Sequence, residues 1–184
     1  MEGFLAAGLR RYHVRKPSWP EAELEAWLTQ LPQSWRPRIV LHGHPGLVER
    51  LSLGGLHERD SEGLCAPGAS RSCHGLDSLR RHMGRAKVLL FGPVFPSISK
   101  PGYGPAADFP WDELKGVLGG DRGPEATRVL AVGGVTTGGL ALCRELGFDG
   151  AAAIGAVWNR ADPVQAYAEM RAAAERLEEA HHAA

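Results

Sequence analysis

Three groups of residues in this chain have the types and spacing to do chemistry. In the C-terminal third, Gly133-Gly134-Val135-Thr136-Thr137 and Ile154-Gly155 put glycine where an apolar run gives way to a helical pattern. Glycine lets backbone N–H groups approach a ligand, and a helix start presents unpaired donors at the positive end of its dipole, so both turns suit an anion. Tight strand-to-helix turns without a ligand would use the same residues. The second group is Ser97-Ile98-Ser99-Lys100, two hydroxyls and an ammonium in a segment rich in proline and glycine. Hydroxyls and lysine suit phosphate oxygens, and proline lowers the entropy lost when a loop closes, although a solvated loop lysine is the plainer reading. The third group is His42, His44, His57 and His74. His42 and His44 share a face if their strand continues, and the other two could face them, a set able to hold zinc. Isolated histidines with local hydrogen bonds fit the same pattern. Pro45 argues that the strand has ended by His44, and no inward Asp or Glu late in the chain completes a hydrolytic site.

These residues need elements to position them. Short apolar runs predict strands at Tyr12–Arg15, Arg38–His42, Gly55–Glu58, Ser70–His74, Lys87–Phe91, Arg128–Val132 and Ala151–Val157. Most are apolar on both faces, the mark of buried parallel strands. Helical patterns lie between them: Glu21–Leu31, with Ser18 as a cap and Pro20 near its first turn, then Leu76–Met83, Trp111–Leu118, Thr137–Leu146 and Pro163–Leu177, the last capped by Asp162. Strand alternating with helix throughout predicts an α/β fold with a parallel sheet. The repeat length, and the lack of a GxGxxG turn, favour a TIM (β/α)8-type barrel over a doubly wound sheet. Only seven strands are present, and Phe4–Leu9 reads as the end of a helix, so the first strand of a barrel is expected upstream of Met1. A barrel with one stave missing is the other solution, and it exposes two strand edges.

In such a barrel the C-terminal strand ends share one face, and phosphate sits at the loops after the last two strands, where the two glycine turns fall. The stretch 92–110, with five prolines and three glycines, is long enough to be functional or disordered. Leu118–Thr127 is a second loop of ordinary turn composition, and the alanine-rich tail ending His181-His182-Ala183-Ala184 is expected to fray.

Composition narrows the classes. The 184 residues form one domain over 1–184. Lys plus Arg and Asp plus Glu are both 21, which removes the basic footprint of a nucleic-acid or anionic-membrane binder. No apolar run nears the roughly 20 residues needed to span a bilayer, and the N-terminus carries no secretory pattern. Three cysteines without CxxC spacing read as reduced thiols, consistent with a cytoplasmic protein.

Taken in order, His13-Val14-Arg15-Lys16, Gly55-Leu56-His57, Ser72-Cys73-His74, Gly92-Pro93-Val94-Phe95-Pro96-Ser97-Ile98-Ser99-Lys100, Val132-Gly133-Gly134-Val135 and Ile154-Gly155-Ala156-Val157 resemble the thiamin-phosphate synthase and TenI family of (β/α)8 barrels. The likeness runs along the whole chain minus that family's first strand, and the GPVFPSISK stretch is its most specific part. It implies transfer of hydroxymethylpyrimidine from its diphosphate to thiazole phosphate, with release of diphosphate assisted by Mg²⁺. It implies that Ser97, Ser99, Gly134 and Gly155 cradle the thiazole phosphate, that Ser72 binds the pyrimidine substrate, and that Lys100 and Arg15 hold its diphosphate. His13, Lys16, His42, Ile98, Gly133 and Ile154 complete the implied binding set, and Asp60 is the one candidate metal ligand. The departures are specific. His13 and Pro17 replace a glutamine and a lysine of the family motif, with Lys16 one residue early. His42-Gly43 stands at an Asn-Asp pair that contributes a metal carboxylate, and Pro93 stands where the thiazole tautomerases of the family have histidine. Three readings follow: a phosphate-transferring enzyme of thiamin biosynthesis, a ligand-sensing relative without turnover, and a zinc-dependent hydrolase built on His42, His44 and His74. Small phosphorylated molecules are the expected partners, and the fold admits a homodimer.

Overall fold

The computed structural model describes residues 1–60, 63, 65–119 and 126–182. A short helix α1 (Glu2–Ala6) leads into β1 (Tyr12–Val14), α2 (Glu21–Thr29), β2 (Ile39–His42), α3 (Pro45–Arg50), β3 (Gly55–Glu58), β4 (Ser70–Cys73), α4 (Leu76–His82), β5 (Val88–Phe91), α5 (Trp111–Leu118), β6 (Arg128–Val132), α6 (Leu140–Glu145), β7 (Gly150–Ala152), α7 (Gly155–Trp158) and α8 (Pro163–His182). All seven strands are parallel and pair in chain order, so the sheet curls into a (β/α) barrel wall lacking one strand. Among the described residues, β7 makes no ladder with β1. On the helix side of that opening α1 packs beside α7 and α8, with the Phe4 ring 5.2 Å from Trp158 and 5.9 Å from Tyr167.

Strand alternation sorts the side chains onto two faces. Val14, Ile39 and Leu41 join Leu24, Leu28 and Leu47 in one sheet–helix core, while Cys73, Leu89, Phe91, Val129 and Ala131 join Leu79, Leu114 and Cys143 in a larger one. The alternate positions turn to the inside of the curl. There β5 and β6 supply Leu90, Leu130 and Val132, but β1 to β4 supply, besides Val40, the polar His13, His42, His57, Ser70 and Ser72. Barrel interiors are usually filled by branched aliphatic side chains, so this polar half marks the place to look for function.

All seven expected strands form, with small changes at their ends. The last is shorter than expected: it stops at Ala152, and Gly155–Trp158 is a turn of helix. Thr137–Gly139 is a 3-10 turn that only then passes into α6, because two successive glycines give poor α-helical propensity. Two elements were illegible in the sequence: a 3-10 turn over Gln33–Arg38, which contains Pro37, and α3, which has barely one apolar turn. Ser18 does not cap α2; Pro20 occupies the cap position and no side chain bonds there. Residues 120–125 of the second loop and residues 183–184 of the tail lie outside the described residues, while α8 continues to His182.

The expected cap of α8 is present. The Asp162 Oδ1 accepts hydrogen bonds from the backbone N–H groups of Val164 and Gln165 at 3.0 and 2.9 Å. Asp162→Ala leaves both donors to water, for an expected loss of about 1 kcal/mol in denaturant unfolding. A change within error would show that α8 is held by packing alone.

Candidate functional site

The parallel strands bring their C-terminal ends to one rim, and two constellations form on it. At the ends of β5, β6 and β7 the proline-rich loop after β5 folds back on the sheet. Val94 N–H donates to the Val132 carbonyl and Phe95 N–H to that of Gly133, both at 3.0 Å, so the loop prolongs the β5–β6 pairing. It then turns over: Ser97 N–H donates to the Tyr103 carbonyl at 2.7 Å, and Lys100 N–H donates to the Ser97 Oγ at 3.1 Å. The Ser97 oxygen thus accepts from its own loop, which leaves its hydroxyl proton free to be donated elsewhere.

A cavity of about 170 Å³ opens between this loop and the two glycine turns, lined by Ser97, Ser99 and Lys100 on one side and by Gly133, Gly134 and Gly155 on the other. The turns and the loop, separated by more than 30 positions in sequence, therefore share one space. The glycines serve a second purpose that sequence reasoning had not assigned. Gly134 has a φ of +67°, and a Cβ there would stand 2.2 Å from the Pro96 carbonyl oxygen. The close approach is to the chain's own loop, and it draws the SISK segment against the turn. Tyr103 also lines the cavity and was missed, since a lone tyrosine in a glycine-rich loop carries no signal. With Ile98 and Ile154 it forms an apolar rim, 46 to 69% exposed.

The second constellation sits at β1, β2 and β3. His42 and His57 are direct partners across the β2–β3 ladder, and His13 lies on the adjacent strand. The His13 Nδ1 is 3.1 Å from the His42 Nε2, and the His42 and His57 rings are 4.2 Å apart. His57, only 2% exposed, has its Nδ1 2.9 Å from the Ser70 Oγ and its Nε2 3.0 Å from the Ser72 Oγ. Burial lowers all three imidazoles, to about 4 for His13 and His42 and about 3 for His57; the neighbouring rings add to this at His42 and His57, as do Arg11 at His13 and Arg15 and Arg59 at His42. All three are neutral at pH 7.

The expected histidine set is corrected in part. His42 and His57 meet, but His44 and His74 point elsewhere. The chain turns left-handed at Gly43 and His44 (φ +75° and +53°), which sends the His44 Nδ1 to within 3.0 Å of the Glu21 carboxylate. The His74 Nδ1–H donates to the Gly92 carbonyl at 2.8 Å. No zinc site of His42, His44 and His74 exists, and the hydrolase reading falls with it. His13 takes their place, because it has the same inward parity one strand away.

Other expected residues are dispersed around the rim. Ser72 stands against His57. Arg15 and Lys16 are exposed beyond β1, and the Lys16 ammonium lies 4.5 Å over the Trp19 ring. Asp60 follows β3, its Oδ1 accepting from the Ser78 hydroxyl at 2.6 Å and its Oδ2 from the His74 N–H at 3.2 Å. These residues do not fit Mg²⁺, a hard cation that takes oxygen ligands. Both Asp60 oxygens already accept hydrogen bonds, and the position where the family resemblance implies a carboxylate is Gly43, beside the imidazoles of His42, His13 and His57.

Comparison with known proteins agrees with the architecture. No protein-family model matches the sequence, and no curated protein matches it. Among solved structures, the chain is similar to thiamine phosphate pyrophosphorylase from Bacteroides thetaiotaomicron, at 23% identity and a TM-score of 0.74, over 94% of this chain and 88% of that one. It is similar to thiamine phosphate pyrophosphorylase from Pyrococcus furiosus at 20% identity and a TM-score of 0.70, over 95% and 87% of the two chains. A 3-hexulose-6-phosphate synthase follows at 16% identity and a TM-score of 0.57, over 94% and 90%. No helix among the described residues is long and apolar enough to cross a membrane. What these likenesses establish is the fold: an α/β barrel of the TIM type, with seven parallel strands in this chain.

Proposed function

We propose that the cavity between the SISK loop and the two glycine turns binds the phosphate of thiazole phosphate, and that the protein acts in thiamin biosynthesis. The observation that carries this reading is the shared cavity: Ser97, Ser99 and Lys100 face Gly133, Gly134 and Gly155 across it. The hydroxyls and the ammonium supply charge-assisted bonds to phosphate oxygens, and the first-turn N–H groups at Gly155, which have no partner within their helix, supply more. Ile98, Tyr103 and Ile154 give the heteroaromatic ring an apolar surface.

In the full transfer, the C–O bond between the pyrimidine methylene and diphosphate breaks, with its electron pair leaving on the diphosphate, and the thiazole nitrogen forms the new C–N bond. Negative charge grows on the leaving group, where Arg15 and Lys100, both exposed on the rim, stabilise it, while Ser72 orients the pyrimidine. No step is routed through a metal. The oxygen-poor surroundings of His42 favour a second reading, in which the cavity binds its ligand without turnover and the protein senses it.

Thermal denaturation with thiazole phosphate tests the binding. Ligand at 100 times its Kd should add about 2.7 kcal/mol, a rise in Tm of roughly 5–10 °C. Lys100→Ala, on an exposed side chain, should leave the unliganded Tm in place and abolish most of that rise. No rise at millimolar ligand refutes the proposal. Incubation with both substrates then separates the two readings: thiamin phosphate formed supports the transferase, and binding without product supports the sensor.

A further inference from the structure

The inside of a barrel wall is an expensive place for three imidazoles, and the phosphate cavity makes no use of them. One ligand nitrogen from each of His13, His42 and His57 lies within 4.8 Å of the other two, the one such group among the described residues. We propose that His13, His42 and His57 form a binding site for a borderline divalent transition metal such as Zn²⁺ or Co²⁺, with the remaining coordination position open to an anionic oxygen ligand.

Geometry argues first. Metal–nitrogen bonds of about 2.0–2.1 Å in a tetrahedron place the ligand nitrogens roughly 3.3 Å apart. The His13 Nδ1 and His42 Nε2 are already 3.1 Å apart, and a ligand nitrogen of His57 lies within 4.8 Å of both. The three rings come from consecutive strands, rigid elements that hold such a constellation better than loops do.

The tautomer of His57 argues second. The Ser70 hydroxyl lies 3.2 Å from the Leu56 carbonyl and 2.9 Å from the His57 Nδ1, so when it donates to the carbonyl it accepts from the Nδ1–H. In that arrangement the Nδ1 carries the hydrogen and the Nε2 keeps its lone pair, on the side of Ser72. Fixing a ligating histidine by an acceptor on its other nitrogen is what outer partners do at metal sites. The Ser72 Oγ, 3.0 Å from that nitrogen, is free to donate to its lone pair when no metal is bound.

Charge argues third, and it selects the remaining ligand. Arg11 acts on His13, and Arg15 and Arg59 on His42, while Arg71, which acts on His57, is paired with the Glu58 carboxylate, so the His13–His42 side is cationic even before a metal arrives. A dication there needs an anion in its open position, such as hydroxide or a phosphate oxygen. Nitrogen donors without carboxylates select Zn²⁺, Co²⁺ or Ni²⁺ over Mg²⁺. The proposal stands independently of the phosphate cavity.

The test is titration of chelator-stripped full-length protein with Co²⁺, followed by its visible absorption, with Zn²⁺ as competitor. One equivalent should produce the intense band of a low-coordinate cobalt site, displaced by Zn²⁺ and unaffected by millimolar Mg²⁺. His42→Ala and His13→Gln should each weaken Co²⁺ at least about 100-fold, and Ser70→Ala about 10-fold, the low end for an outer partner. His44→Ala and Lys100→Ala should bind as the unaltered chain does, so failure of the phosphate reading leaves this result standing. His13 lies on the edge strand, so His13→Gln serves if His42→Ala does not fold. Absence of the band, or equal Co²⁺ affinity in His13→Gln and the unaltered chain, would overturn the proposal and assign any uptake to other histidines.

Discussion

Metal-free protein should lose several kcal/mol of stability as the pH is lowered from 7 to 4, with the loss beginning near 6.5. His13, His42 and His57 have folded-state values of about 4, 4 and 3, against 6.5 for a free imidazole. Between those limits the unfolded chain binds more protons than the folded one, so stability rises with pH and falls on acidification. The full effect is present above 6.5 and is spent once the pH has passed below the folded values. Each excess proton contributes up to about 1.4 kcal/mol per pH unit. Water reaches part of His13 and His42, and the rings titrate as one coupled set, so the sum falls well short of three independent maxima. Several kcal/mol in a chain of this length lowers Tm by on the order of 10 °C. The check is urea unfolding at pH 7, 6 and 5 in chelator, a window above the titration of the carboxylates. His13→Gln removes one titrating imidazole from the set and should flatten the curve. A midpoint that stays constant from pH 7 to 5 would show that the cluster opens to water more than this structure indicates.

Gly134→Asp is expected to cost about 2–6 kcal/mol and to abolish phosphate binding. Two terms add. A non-glycine residue at a φ of +67° carries backbone strain of about 1–3 kcal/mol. Its Cβ, 2.2 Å from the Pro96 oxygen and 2.8 Å from the Phe95 carbonyl carbon, forces the loop off the turn for about 1–3 kcal/mol more. Moving the loop dismantles the cavity, because Ser97, Ser99 and Lys100 ride on it, and the new carboxylate repels an anion. Gly138→Ala is the matched control: its Cβ would meet nothing nearer than the Thr136 Oγ1 at 3.9 Å. It should shift stability by no more than about 0.5 kcal/mol. If Gly134→Asp unfolds at the same urea concentration as the unaltered chain, the loop and turn are not packed as described.

These expectations draw unequally on sequence and structure. The order of the strands and of the longer helices was legible because each is a local signal. Short apolar runs such as Val88–Phe91 and Arg128–Val132 cannot satisfy a wet face, and Asp162-Pro163 starts a helix by its own chemistry. The phosphate cavity was half legible: glycine turns at the last two strands can be read from order alone, and barrel topology then puts them on one rim. Their contact with the SISK loop was not, because it depends on where Pro96 comes to rest against Gly134.

The histidines show the limit most clearly. His42 and His44 are two apart and invite pairing, but a left-handed turn at Gly43 and His44 separates them, and no local pattern announces it. His13, 29 positions from His42, reaches it at 3.1 Å because parallel register and side-chain parity bring them together. By itself the sequence determined the alternation of strand and helix, the parallel barrel and the rim that carries the site, since these follow from periodicity and chain order. Only tertiary structure decided which histidines meet and what stands across from the glycines, since ladder register and loop packing are settled between residues distant in the chain.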